Sequence, residues 1–158
     1  MASIQLEDLT TEAFAPFGDA FPTPQPDDAR LDLINQLQNL REVGKPRLSV
    51  LTVNPKTLPL LVPKLERHAF SSQAFIPGDC VSYLVIVAPH DEAGCPDAAR
   101  AKAFRVPGNI SINYKANIWH APIASLATPA SFVILTFIDG TTNDEEFVAL
   151  SEALTITS

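Results

Sequence analysis

Fourteen prolines against six glycines in 158 residues restrict this chain more than any other feature, since average usage is about 5% Pro and about 7% Gly. Proline locks its own φ and has no N–H to donate, so helix interiors and central strands exclude it. Many brief strands joined by stiff turns are therefore expected, rather than a helical bundle. With 46% hydrophobic residues, the chain can fill one core and is too short for two, so a single domain over residues 1–158 is expected.

Eleven Lys plus Arg against eighteen Asp plus Glu leave a net charge of −7, which repels phosphate backbones and anionic lipid. Neither nucleic acid nor a membrane is an expected partner. The longest apolar run, Tyr83 to Ala88, stops at Pro89, far short of the roughly 20 residues of a spanning helix. The opening MASIQLEDLT has neither the basic nor the apolar region of a signal peptide, so a cytoplasmic protein is expected. Cys80 and Cys95 are too far apart for a CxxC site, which argues against a disulfide framework or a thiolate cluster.

Thr10 to Phe14 reads as an N-cap and one or two helical turns, ended by Pro16 and Gly18. FPTPQPDD, from Phe21 to Asp28, reads as an extended surface strap. Leu31, Ile34, Leu37 and Leu40 recur at helical spacing, although Leu33 interrupts the stripe. Strands are expected near residues 47–53, 65–70, 83–87, 110–115 and 132–138. In the second of these, alternation puts Glu66, His68 and Phe70 on one face. YLVIV at 83–87 is apolar on both faces, as in a strand buried on both sides. In the fourth, Ile110, Ile112 and Tyr114 share one face while Ser111, Asn113 and Lys115 share the other. An antiparallel sandwich or barrel with one small helix follows.

No GxGxxG, GxxxxGK, GxSxG or HExxH occurs, so the dinucleotide, P-loop, hydrolase-elbow and zincin classes lack their motif. His68, His90 and His120 are dispersed, without a second ligand at metal-binding spacing. No metal or cofactor is expected. His90, beside Asp91 and Glu92, reads as a surface residue. His68 reads equally as a barrel-interior acid or base and as a satisfied core residue. His120 follows the lone Trp119 and precedes a proline turn at a strand end, a plausible place for a pocket residue.

The segments TTEAFAPFGD (10–19), LERHAFSSQAFIP (65–77), YLVIVAP (83–89), AFRVP near Phe104 and INYKANIWHAP (112–122) together resemble the ureidoglycolate lyase family in order and spacing. The WHAP form and the phenylalanine-containing strand before Asp139 resemble fungal members. The resemblance implies a mainly β, cupin-like double-stranded β-barrel with one or two short helices, pairing as a homodimer. It also implies a small-molecule substrate: ureidoglycolate, split into glyoxylate and urea in allantoin breakdown. That substrate is a carbinolamide, and cleaving it needs a base for the hydroxyl proton and an acid for the leaving nitrogen, with no obligatory metal. His68 and His120 are the expected pair, with Tyr114 as the alternative. Lys115 or Arg67 is assigned to a carboxylate, Gln73 and Asn113 to an amide, and Ser111 and Trp119 to the wall of the pocket.

The chain departs from the family pattern at several places. Ile110-Ser111 stands for Gln-Gly, Thr52 for an arginine, and Leu37-Gln38-Asn39 for Gly-Thr-Ala, while Thr136 and the run Asn143 to Glu146 differ near the end. Losing two polar contacts is expected to weaken ureidoglycolate binding by roughly 10² to 10⁴ fold. Three readings follow: the family reaction, proton-transfer chemistry on a larger and less charged metabolite, and a barrel that binds without turnover.

Overall fold

The computed structural model describes residues 3–158. Its first helical turn, α1 (Thr11–Phe14), is capped by Thr10, whose Oγ1 accepts the Ala13 N–H at 3.1 Å, and it carries Phe14 into the core. Two 3-10 turns (Ala98–Arg100 and Thr142–Asp144) and twelve strands make up the rest of the regular structure among these residues: β1 (Ser3–Asp8), β2 (Gly18–Pro22), β3 (Lys45–Val53), β4 (Leu60–Arg67), β5 (Gln73–Pro77), β6 (Ser82–Ala88), β7 (Lys102–Pro107), β8 (Ile110–Tyr114), β9 (Trp119–His120), β10 (Ala124–Ser125), β11 (Ala130–Ile138) and β12 (Glu146–Thr157).

Six strands close into a ring in the order β6-β7-β1-β12-β4-β9, with β9 returning to β6 and β10 pairing further along it. The other five form a sheet in the order β2-β8-β5-β11-β3. This is the expected cupin-like barrel, with one departure from an antiparallel scheme: β1 runs parallel to both β7 and β12. β6 explains why its sequence is apolar on both faces. Leu84, Ile86 and Ala88 point into the ring with Leu65, Trp119, Leu154 and Ile156. Tyr83, Val85 and Val87 face the five-stranded sheet and meet Phe75, Ile112, Tyr114 and Phe132.

Four of the five expected strands match β3, β6, β8 and β11 closely. The one expected at 65–70 instead runs from Leu60 to Arg67, so His68 lies just past its end. Leu31 to Val43 forms turns rather than a helix, with Ile34, Leu40 and Val43 exposed. Side-chain anchors replace helical hydrogen bonds there: Gln38 accepts the Ala116 N–H at 2.7 Å on Oε1, and its own N–H donates to Ser72 Oγ at 2.8 Å. β2 reaches β8 closely because residue 18 is glycine; a Cβ there would sit 2.1 Å from the Asn113 carbonyl oxygen.

Candidate active site

Two rows of side chains meet at one end of the layer between ring and sheet. Across the ring, Glu66 of β4 is in register with His120 of β9, which also pairs with Val87 of β6. Across the sheet, Tyr114, Gln73 and Thr136 lie side by side on β8, β5 and β11. The rows touch where the Tyr114 ring stacks on the His120 imidazole, with centroids 4.2 Å apart and planes 16° apart. His68 stacks on the same imidazole at 5.7 Å.

Both histidines are oriented by backbone. His120 Nδ1 is 2.9 Å from the Ile118 carbonyl oxygen and His68 Nδ1 is 2.9 Å from that of Asp144. A carbonyl only accepts, so each Nδ1 carries a proton and each Nε2 is turned inward, where in a neutral ring it presents its lone pair. His68 Nε2, His120 Nε2, Gln73 Oε1 and the Tyr114 hydroxyl are buried with no hydrogen-bond partner among the described residues. Orphaned buried polar atoms cost about 1–3 kcal/mol each, so four of them at one place mark a site built for a polar guest.

Glu66 Oε1 stands 3.4 Å from His120 Nε2, an ion contact rather than a well-formed hydrogen bond. Burial alone would raise the Glu66 carboxyl, but His120, then His68 and Lys64, bring it below the usual carboxylate range. The proton that makes this contact favourable belongs to the pair. Burial and the neighbouring His120 lower the His68 imidazole, against the opposing pull of the Asp144 carbonyl, Glu66 and Glu145. Burial, then the Glu66 charge, raises the Tyr114 phenol, which stays a neutral donor.

Of the residues singled out from sequence, the fold brings His68, His120, Tyr114 and Gln73 together and leaves the others elsewhere. Asn113 faces away from the cluster and donates from Nδ2 to Gln36 O at 3.0 Å. Ser111 lines an apolar groove of about 300 Å³ with Phe21, Leu31 and Ile76. Lys115 Nζ donates to the Ala15 carbonyl at 2.6 Å. Arg67 lies over the Trp119 ring at 4.4 Å and pairs with Glu146 at 2.7 Å, while Trp119 Nε1 donates to Gly94 O. His90 sits between the carbonyls of Gly94 and Asn117. Glu66 is the residue that the sequence argument left out; its period-two relation to His68 was the available signal. Thr136, whose hydroxyl meets Ser71 Oγ at 2.8 Å, completes the sheet row.

Thr52 does not touch the cluster, for it is exposed on β3 and bonded to Ser131 at 3.0 Å. Ile110 lies four residues up β8 from Tyr114, roughly 13 Å at strand rise. A larger groove of about 490 Å³ runs between Val43–Leu48 and Ile138–Gly140. Size is outweighed there by chemistry, since the orphaned histidine nitrogens lie in the cluster. Glu66, His68 and His120 could also hold a divalent metal, as their ligand atoms all lie within 4.8 Å of one another. Two imidazoles and a carboxylate leave coordination positions open for substrate.

The family model described as ureidoglycolate lyase matches residues 1–157. A ureidoglycolate lyase of Brucella anthropi is 36% identical over 156 residues, covering 92% of this chain and 89% of its own. One from Pseudomonas fluorescens is 35% identical, covering 98% and 96%, and one from Burkholderia mallei 34%, covering 85% and 82%. These relatives are bacterial, so the likeness to fungal members rests on the sequence motifs alone. The crystal structure of a dTDP sugar isomerase from Desulfovibrio desulfuricans superposes with a TM-score of 0.52 at 16% identity, covering 85% of this chain and 83% of that one. That likeness concerns the fold alone.

Proposed function

The chain belongs to the ureidoglycolate lyase family, and from that membership we propose that it splits ureidoglycolate into glyoxylate and urea by acid–base chemistry at the Glu66–His68–His120 cluster. The observation that carries this reading is the pair of inward-facing, unpartnered Nε2 atoms. His68, kept neutral by burial, takes the carbinol O–H proton; the carbonyl forms, the C–N bond breaks, and the Glu66–His120 pair delivers its proton to the departing urea nitrogen. Gln73 and the Tyr114 hydroxyl orient the guest. Among the described residues no lysine or arginine joins the cluster, so the substrate carboxylate would be received by neutral donors, the Tyr114 hydroxyl among them.

The outward position of Thr52 removes one of the two substitutions that pointed to a larger substrate, and the family reaction is preferred. A second reading is carried by the donor set: the same three side chains would hold a divalent ion, which would polarise the substrate oxygen. Incubation with ureidoglycolate, with glyoxylate and urea both measured, tests the activity. Repeating it after exhaustive chelation separates the two readings, and activity that survives supports proton transfer alone.

Both cores draw on β6 and β7, which supports reading residues 1–158 as one domain. We further propose a homodimer. β3 is an edge strand nine residues long, and Leu48 and Val50 on it are 70% and 77% exposed. A second copy would cover that edge, which otherwise invites aggregation. Val50→Lys with light scattering checks it; a protein already monomeric would refute it.

A further inference from the structure

We propose that Arg41 is a positioning residue for His68, acting through the turn between β11 and β12. This rests on the reading above, in which His68 works through a bare Nε2. Arg41 lies outside the strands, yet its side chain is only 5% exposed. A buried guanidinium needs partners for its charge, and among the described residues its hydrogen bonds and ion contacts all go to the end of β11 and the turn that follows it. Nη1 donates to Phe137 O at 3.0 Å and Nη2 to Asn143 O at 3.1 Å; Nη2 also makes an ion contact with Asp144 Oδ1 at 2.8 Å, and Nε, which makes no hydrogen bond, lies 3.3 Å from Asp139 Oδ2. The turn is wrapped around the cation.

Asp144 is the hub of that arrangement. Its carboxylate also accepts the N–H groups of Asp139 at 2.9 Å and Gly140 at 2.8 Å, while its own backbone carbonyl accepts His68 Nδ1–H at 2.9 Å. Arg41 thus fixes the carbonyl that decides which ring nitrogen of His68 carries the proton. With the carbonyl in place, the Nε2 lone pair faces the site; with the turn loosened, either tautomer is open to the ring. A merely structural arginine would stabilise the turn without this selectivity.

The chain has three histidines, so ¹⁵N-histidine labelling resolves each imidazole. Wild-type His68 is expected to show a protonated Nδ1 and a bare Nε2. In Arg41→Met, the His68 nitrogens should shift to an averaged tautomer pattern while His90 and His120 keep theirs. The kcat for ureidoglycolate should fall at least tenfold with KM within about twofold, and Arg41→Lys, which cannot reach all four acceptors, should be intermediate in both readouts. A His68 pattern unchanged in Arg41→Met overturns the proposal. If that variant does not fold, Arg41→Lys decides, and an unchanged pattern there overturns it equally. The nitrogen spectra need no turnover, so a wild-type protein inert towards ureidoglycolate would refute the functional reading and leave Arg41 tested on its own terms.

Discussion

The interior of the six-stranded ring and the layer between ring and sheet share β6 as a wall, yet they solve different problems. Inside the ring, Val62, Leu65, Leu84, Leu154 and Ile156 fill the space with hydrocarbon. In the layer outside, Phe75, Tyr83, Ile112 and Phe132 do the same at one end, but the other end buries Glu66, His68 and His120 with polar atoms unmatched. Stable folds tolerate few such atoms because overall stability is only about 5–15 kcal/mol. The ring interior therefore serves stability, and the polar end spends stability to hold groups that only a guest can complete.

Replacing His120 with alanine should have the largest effect. Removing one proton carrier should lower kcat by about 10³-fold, near 4 kcal/mol, with the far-ultraviolet circular dichroism retained. Loss of less than tenfold would mean that the polar end is not the reacting centre. Leu154→Ala probes the other region: a fully buried leucine in the ring should cost about 2–5 kcal/mol of stability and leave kcat/KM unchanged at a temperature where the variant is folded. A comparable drop in activity would show that the two regions are not separate in function.

Tyr114→Phe should move the two quantities in opposite directions. Deleting an orphaned buried hydroxyl should raise stability by about 1 kcal/mol, while turnover falls about tenfold. Unfolding midpoints and steady-state rates on the same preparation decide it; a less stable variant would show that the hydroxyl does have a partner.

The smallest effect concerns pH. Because the folded protein holds the His68 imidazole below its ordinary value of 6.5, the unfolded chain takes up that proton first. The His68 contribution is complete above about 6.5 and is lost as pH falls from there through the lowered folded value. His68→Phe should flatten that part of the stability curve. Glu66, also lowered, adds a loss only in the more acidic carboxylate range. In the wild type, the acid limb of kcat/KM should lie below 6.5, and a limb at or above that value would contradict the assignment of His68 as base.

Much of the fold was legible locally. β6 announced itself because a strand buried on both faces must be apolar at every position, and α1 because Thr10 is followed by an acidic first turn. β12 was not legible: EFVALSEALTIT is rich in good helix formers, and only pairing with β4 and β1 makes it the longest strand. The stripe of Leu31, Ile34, Leu37 and Leu40 misled for the converse reason. With Ile34 and Leu40 left exposed, no core lay beneath that face to reward a helix.

Alternation by itself determined which side chains travel together. Within β8, Tyr114 is opposed to Ser111 and Asn113, since successive strand residues point to opposite faces. Composition likewise determined a strand-rich fold, because fourteen prolines leave little room for long helices. Only the tertiary structure decided which face of β8 looks into the layer between ring and sheet. Tyr114 looks inward to His120, and the polar face that resembled a pocket wall is occupied by Gln36 and the strap. Period-two patterning is unchanged when the two sides of a strand are exchanged. The choice between them is made by what packs on each side, here His120 on one face and the distant Gln36 and strap on the other.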